Sequence, residues 1–367
     1  MYIQFRLAIA TIAILLSGCV TIPRPEIPLA EPGGSTRQIE KRVRLLEENW
    51  SRQARIAGIA QPILTANSDL CGSRVIWDVG VQWITLNDLD DPIDKSAGLE
   101  IGVTEYPYVT GVTPGSPAFA AGLRSGDTLR AIDGDSLNKD LWTFERQRTY
   151  ATTGRNRYRS HLESVVQNAS RDGAVSIEYQ RESTHYTIEL SPIRRCDYNV
   201  FVLAYLDLAS QISPTQDILI SSGLYSYAQS DSDLQSIVAH ELAHVLAKHR
   251  PRTSTEQHLA RGHEMLGQAM IDGMETRNSE VVFSNPTSPR TYGRRLELEA
   301  DSLAMYLLAR AEIEPSKYID FWKRIPAETP LVHTHVVDKV RTDNLEAAHR
   351  EIQKKIDAGL PLIPNES

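Results

Sequence analysis

Residues Ile237 to His249 read IVAHELAHVLAKH, which sets His240, Glu241 and His244 inside an apolar run. Buried polar and ionisable groups cost several kcal/mol unless something compensates them. On a helix advancing ~100° per residue, His244 lies about 40° from His240 and Glu241 about 100° from it. The two imidazoles therefore face one way, one turn apart, with the carboxylate beside them. Two histidines at i and i+4 hold one zinc ion, and the intervening glutamate serves as general base beside the open coordination position. The charge of one Zn2+ per chain would make these side chains tolerable in a buried segment.

The elements that must position this chemistry are two helices. Ser232 with Gln235 forms a capping-box pattern and Pro251 stops the run, so a helix is predicted over 231–249. Leu234, Ile237, Val238, Leu242, Val245 and Leu246 give it a broad apolar arc. Ser236, Ala239, Ala243 and Ala247 are small and admit a close neighbour. His249 falls about 180° from His240 on the same arithmetic and is expected to point away, in a structural or capping role. A second helix is predicted over 292–315, YGRRLELEADSLAMYLLARAEIEP. On it, Glu297 shares the apolar stripe of Ala300, Leu303, Ala304, Leu307 and Leu308, with Asp301 near the edge. Glu299 falls on the opposite, polar face beside Arg295, Tyr306 and Arg310. Between the two helices, RGHEMLGQAMIDGM within 251–290 has a helical pattern and reads as a lid over the cleft.

Residues 193–350 resemble the zinc metallopeptidase family of the CaaX prenyl proteases and HtpX. The resemblance rests on HELAH, on Glu297-x-x-x-Asp301 in the second helix, and on DILISSGLYSYAQSDSDLQSIVAHELAHVLAKH as strand and active-site helix. Leu203-Ala204-Tyr205 stands where many members have Asn-Ala-Tyr. Thr334-His335, followed by Arg341, resembles the family's His-Pro segment, with Val336 in place of the proline. The resemblance implies peptide-bond hydrolysis with His240, His244 and Glu297 as zinc ligands and Glu241 as general base. It further implies His335 as donor to the oxyanion and Asp301 as the group holding a ligand histidine in its tautomer. Membrane-spanning members carry long apolar helices, and none is read here beyond the N-terminal run. The implied branch is the soluble, lipid-anchored one, linked with outer-membrane protein quality control. The alternative reading is a peptide-binding or chaperone-like periplasmic lipoprotein with gated or weak proteolysis.

The N-terminus supports the anchor. Arg6 precedes the apolar run Leu7 to Leu16, too short to span a bilayer, so 1–18 reads as a signal peptide. Leu16-Ser17-Gly18-Cys19 resembles the lipobox of bacterial lipoproteins, which implies lipid on Cys19. Val20, rather than aspartate, favours the outer membrane and a periplasmic location. Residues 19–36 are a Pro/Gly tether, and 37–71 a helical segment with its helix over 37–59. Residues 72–192 carry short strands and turns, with a helix expected over 155–169. VTGVTPGSPAFAAGLRSGDTLRAIDGDSL, with Ser116-Pro117 starting a short helix and Gly122 ending it, resembles a bacterial PDZ domain. Such domains add a peptide to a sheet edge, and the carboxylate loop is expected near Gly98, Leu99 and Ile101.

The expected fold is therefore α+β, a mainly helical zincin-type domain over 193–350 preceded by a small β-rich PDZ-like domain, with a C-terminal tail over 351–367. Cys71 and Cys196 flank the PDZ-like unit, and in an oxidising periplasm they are expected to pair as a disulfide. A net charge of −8 with no long basic run gives no reason to expect nucleic acid as a partner, and none is expected. The expected partners are protein or peptide substrates, a membrane reached through the lipid anchor, and envelope protein-assembly machinery.

Overall fold

The computed structural model describes residues 32–89, 91–137, 173–204, 206, 208–213, 216–249, 294–325 and 339–364. Cys19, the helix expected over 155–169, the lid segment and His335 lie outside the described residues.

The spine is α1 (Thr36–Ala66), longer than the helix expected over 37–59. Pro62 lies inside it and costs one backbone hydrogen bond, a loss of about 3 kcal/mol. Ile56, Ile59, Ala60, Ile63 and Leu64 are all buried around that proline. At about 1.5–3 kcal/mol for each fully buried large side chain, they outweigh the break. The segment of Gly111 and Pro114 meets one face of α1 closely. A Cβ on Gly58 would sit 2.7 Å from the Pro114 ring, and one on Gly111 would sit 2.8 Å from Ala54 Cβ.

The β-rich unit is an antiparallel sheet joined to a two-stranded ribbon. The ribbon pairs β1 (Val75–Asp78) with β8 (Ile193–Cys196). The sheet runs β2 (Val81–Ile84), β3 (Tyr108–Val112), β4 (Thr128–Ile132), β6 (Val175–Arg181), β7 (Thr184–Leu190), with β5 (Asp135–Ser136) beside β4. Ser116 accepts a hydrogen bond from Phe119 N at 3.2 Å and caps a short helix, and Gly122 leaves it at φ +83°. Those turns match the sequence reading.

The stretch expected as a peptide-binding loop does not. Gly98, Leu99 and Ile101 lie in helix α2 (Pro92–Ile101). Asp91 caps it by accepting from Ile93 N and Asp94 N, Pro92 opens it, and Gly102 ends it at φ +102°. Inside a helix these backbone N–H groups are not presented to a ligand carboxylate as a loop would present them.

Cys71 and Cys196 form a disulfide with Cα atoms 5.6 Å apart, joining the end of the α1 segment to β8. It closes a sequence separation of 125 residues. We expect reduction to lower stability by about 2–4 kcal/mol. Denaturant unfolding with and without reductant, alongside alkylation read by mass, checks this; two freely alkylated thiols in the untreated protein would contradict it.

The C-terminal unit has a three-stranded sheet, β9 (Val200–Leu203), β10 (Ser210–Ile212) and β11 (Ile218–Ser221), in the order β10-β11-β9. The Gln53 side chain pairs with the outer edge of β9 as another strand would. Its Nε2 donates to Val202 O at 2.7 Å and its Oε1 accepts from Val202 N at 3.2 Å. Among the described residues, five helices follow: α4 (Ser222–Tyr227), α5 (Asp231–Leu246), α6 (Arg294–Arg310), α7 (Ser316–Arg324) and α8 (Lys339–Asp357). The helix of Pro117–Ala120 takes the label α3. Helix α8 runs past residue 350, where the tail was expected to begin, because Leu345, Ala348 and Ile352 bury one stripe in the core. No helix among the described residues is long and apolar enough to cross a membrane.

Candidate active site

Helix α5 carries the histidines. Ser230, not Ser232, caps it, accepting from Asp233 N at 3.4 Å. Leu234, Ile237, Val238 and Leu242 anchor it in the core, α6 packs against it, and Ala239 and Ala243 of α5 and Ala300 and Ala304 of α6 are all fully buried in one cluster. The crossing brings Glu297 of α6 to His240 and His244 of α5, all three at about 1% exposure.

Their ligating atoms lie within 4.8 Å of one another. His240 Nε2 is 3.4 Å from Glu297 Oε2, His244 Nε2 is 3.5 Å from Glu297 Oε1, and the two Nε2 atoms are 3.1 Å apart. A tetrahedral centre with bonds of about 2.0–2.1 Å has ligands about 3.3–3.4 Å apart. The observed spacings bracket that value, and two imidazoles with one carboxylate form a nitrogen and oxygen donor set of the kind zinc takes. The residues present therefore fit a metal.

Behind His240 stands a buried polar network. Arg341 forks onto Asp301, with Nε to Oδ2 at 2.6 Å and Nη2 to Oδ1 at 2.7 Å. Tyr318 donates its hydroxyl to Asp301 Oδ1 at 2.6 Å, and its oxygen lies 2.8 Å from His240 Nδ1. Because that hydroxyl proton is given to Asp301, the oxygen accepts, and His240 carries its proton on Nδ1. Nε2 is left with its lone pair facing Glu297. Burial acts to raise the Asp301 pKa, but the Arg341 charge and the hydrogen bonds from His240 and Arg341 hold it below the usual carboxylate range. Burial pushes the Tyr318 hydroxyl well above its ordinary value, and Asp301 adds to this, so it remains a donor. The Arg341 guanidinium also lies 3.8 Å over the Trp322 ring, whose centroid is 5.0 Å from that of His240. Replacing Arg341 by Met leaves the Asp301 charge without its fork. We expect a loss of about 3–5 kcal/mol, read by denaturant unfolding.

Glu241 is fully buried and accepts from Ser210 Oγ at 2.6 Å on Oε1. Ser210 belongs to the edge strand β10, which the sequence reading missed because three residues carry too little alternation to show. Tyr318 was missed as well. It sits on a separate helix, and only its aromatic place in an apolar stripe was visible.

Two expectations for side-chain direction need correction. His249 does not point away from the site. Helix α5 ends at Leu246, and Lys248 at φ +55° turns the chain so that His249 N donates to His244 O at 3.0 Å. Its ring then lies 5.1 Å from the His244 ring. Burial holds its pKa below the ordinary histidine value, against an opposing effect of Glu299. Tyr306 is buried at 2% exposure rather than solvated, because α8 covers that face and Glu351 accepts its hydroxyl. Glu299 is half exposed, as expected, with Arg295 3.9 Å away.

The match to a known family falls on this same region. Residues 209–349 match Peptidase family M48. A candidate beta-barrel assembly-enhancing protease of Vibrio cholerae serotype O1 is 28% identical over 149 residues, 36% of this chain and 31% of its own. The mitochondrial metalloendopeptidase OMA1 of Saccharomyces cerevisiae is 25% identical over 118 residues, 31% of this chain and 32% of its own. The chain thus spans about a third of the length of these curated relatives. The matched segment contains His240, His244 and Glu297, together with Glu241 and their supporting residues, so the part of this chain that carries the site is similar to Peptidase family M48.

Proposed function

We propose that this protein is a zinc-dependent endopeptidase of the bacterial envelope. The observation that carries the reading is the trio His240, His244 and Glu297 at tetrahedral spacing, with the Glu241 carboxylate one residue along the same helix. Zinc bound there supplies the positive charge that makes water acidic and polarises a peptide carbonyl. Glu241 takes the water proton and passes it to the leaving amine, while Ser210 holds one carboxylate oxygen in place. His335 donates to the oxyanion.

The envelope location draws on Leu16 to Cys19, where Cys19 would carry the lipid, and on the paired Cys71 and Cys196. The role we assign is quality control of periplasmic or outer-membrane proteins, and the Vibrio cholerae relative, by its name an enhancer of beta-barrel assembly, is in keeping with work on envelope proteins. The β-rich unit keeps the capped short helix and turns behind the PDZ resemblance, and we read it as a PDZ-like module.

The purified protein should bind one zinc and cleave an unfolded protein such as casein. A chelator should abolish cleavage and zinc should restore it. Cleavage that survives complete metal removal would overturn the reading. Ser210→Ala should lower kcat about tenfold at unchanged KM, the size of a hydrogen bond to a charged group. An unchanged kcat would remove Ser210 from the mechanism. Cys19→Ser should free the protein from membranes, and a variant still bound after a carbonate wash would exclude the lipid anchor.

A further inference from the structure

His244 has its own support, distinct from the Asp301 network behind His240. The His249 side chain is 3% exposed, and its Nδ1 lies 3.0 Å from His244 Nδ1. Its Nε2 lies 3.5 Å from Glu299 Oε2, on the helix that also carries Glu297. Two imidazole nitrogens at 3.0 Å share one proton, so one donates and the other accepts.

The direction follows from the metal triad. His244 Nε2 faces Glu297 and His240, so that nitrogen must keep its lone pair. A neutral imidazole with a free Nε2 lone pair carries its proton on Nδ1. His244 Nδ1 therefore donates, and His249 Nδ1 accepts. The remaining proton of His249 is then on Nε2, the nitrogen that lies 3.5 Å from the Glu299 carboxylate. Each group is left with one arrangement compatible with its neighbour.

We propose that His249, oriented by Glu299, is a positioning residue that fixes the ligating tautomer and ring orientation of His244. The inference rests on the metal reading above, but it assigns roles to two residues on which that reading does not depend. Glu299 is not merely a solvated partner of Arg295. Its side chain is about half exposed while that of His249 is 3% exposed, so its share of the effect is the smaller one.

The test is zinc affinity of the purified full chain, measured by competition with a chromophoric chelator. His249→Leu keeps apolar bulk and removes the acceptor. His249→Asn places an amide oxygen near the position of Nδ1. We expect His249→Leu to bind zinc about 10–100-fold more weakly, His249→Asn to return to within about threefold of the unaltered protein, and Glu299→Ala to lose about two- to fivefold. The visible spectrum of the Co(II)-substituted protein should shift in His249→Leu and be restored in His249→Asn. Affinity within about twofold in a folded His249→Leu would overturn the proposal, as would His249→Asn binding as weakly as His249→Leu. If His249→Leu does not fold, Glu299→Ala decides, and unchanged affinity there overturns it. An unaltered protein that binds no zinc overturns the metal reading together with this one, whereas tight binding that ignores His249 overturns this one alone.

Discussion

Glu241→Gln should keep the fold and one zinc per chain while losing proteolysis by about 10²–10⁴-fold. The fold survives because glutamine has the same shape, and its amide oxygen can still accept from Ser210, which lies 2.6 Å from the glutamate oxygen. The metal survives because the three ligating atoms belong to His240, His244 and Glu297. Proton transfer does not survive, since a neutral amide cannot take a proton from water and return it to a leaving amine. Metal content by mass spectrometry and turnover on one substrate are measured on the same preparation. Near-normal turnover in a zinc-loaded variant would remove Glu241 from the role. The same variant separates an enzyme from a binding factor in cells: complementation by Glu241→Gln would favour the chaperone-like reading.

The parts of the site written in local sequence were legible, and the parts made by distant contacts were not. His240, Glu241 and His244 announce themselves because their spacing on one helix is itself the geometry. Glu297 was separable from Glu299 because helix periodicity puts one in the apolar stripe and the other outside it, and they are 1% and about half exposed. The same arithmetic failed for His249. It assumes that the helix continues, and the chain leaves it at Lys248 in a left-handed conformation without the glycine or asparagine that would mark such a turn. Tyr318 and Ser210 reach the site from separate elements, so no spacing rule joins them to it. Helix α2 is a different case: Asp91, Pro92 and Gly102 are a complete start and stop signal, and the expectation of a loop there set it aside.

Glu297→Ala should change the effect of zinc on stability, not only remove activity. In the absence of metal, the Glu297 carboxylate is buried among two imidazoles and a core helix face, an expensive place for a charge. Removing it from the metal-free protein should therefore cost little or raise stability. With metal the sign reverses. A ligand that binds only the folded state at a concentration of 1,000 Kd adds about 4 kcal/mol, and the unaltered protein should show a gain of that order. Glu297→Ala retains two of three protein ligands, so zinc should be lost on dialysis and the gain should vanish. Glu299→Ala should keep nearly all of it, because a two- to fivefold weaker Kd subtracts only about 0.4–1 kcal/mol at saturation. Denaturant unfolding of the three proteins, each with chelator and with excess zinc, reads both signs at once. A Glu297→Ala protein still stabilised by zinc as fully as the unaltered chain, beside a Glu299→Ala protein that is not, would move the third ligand to Glu299.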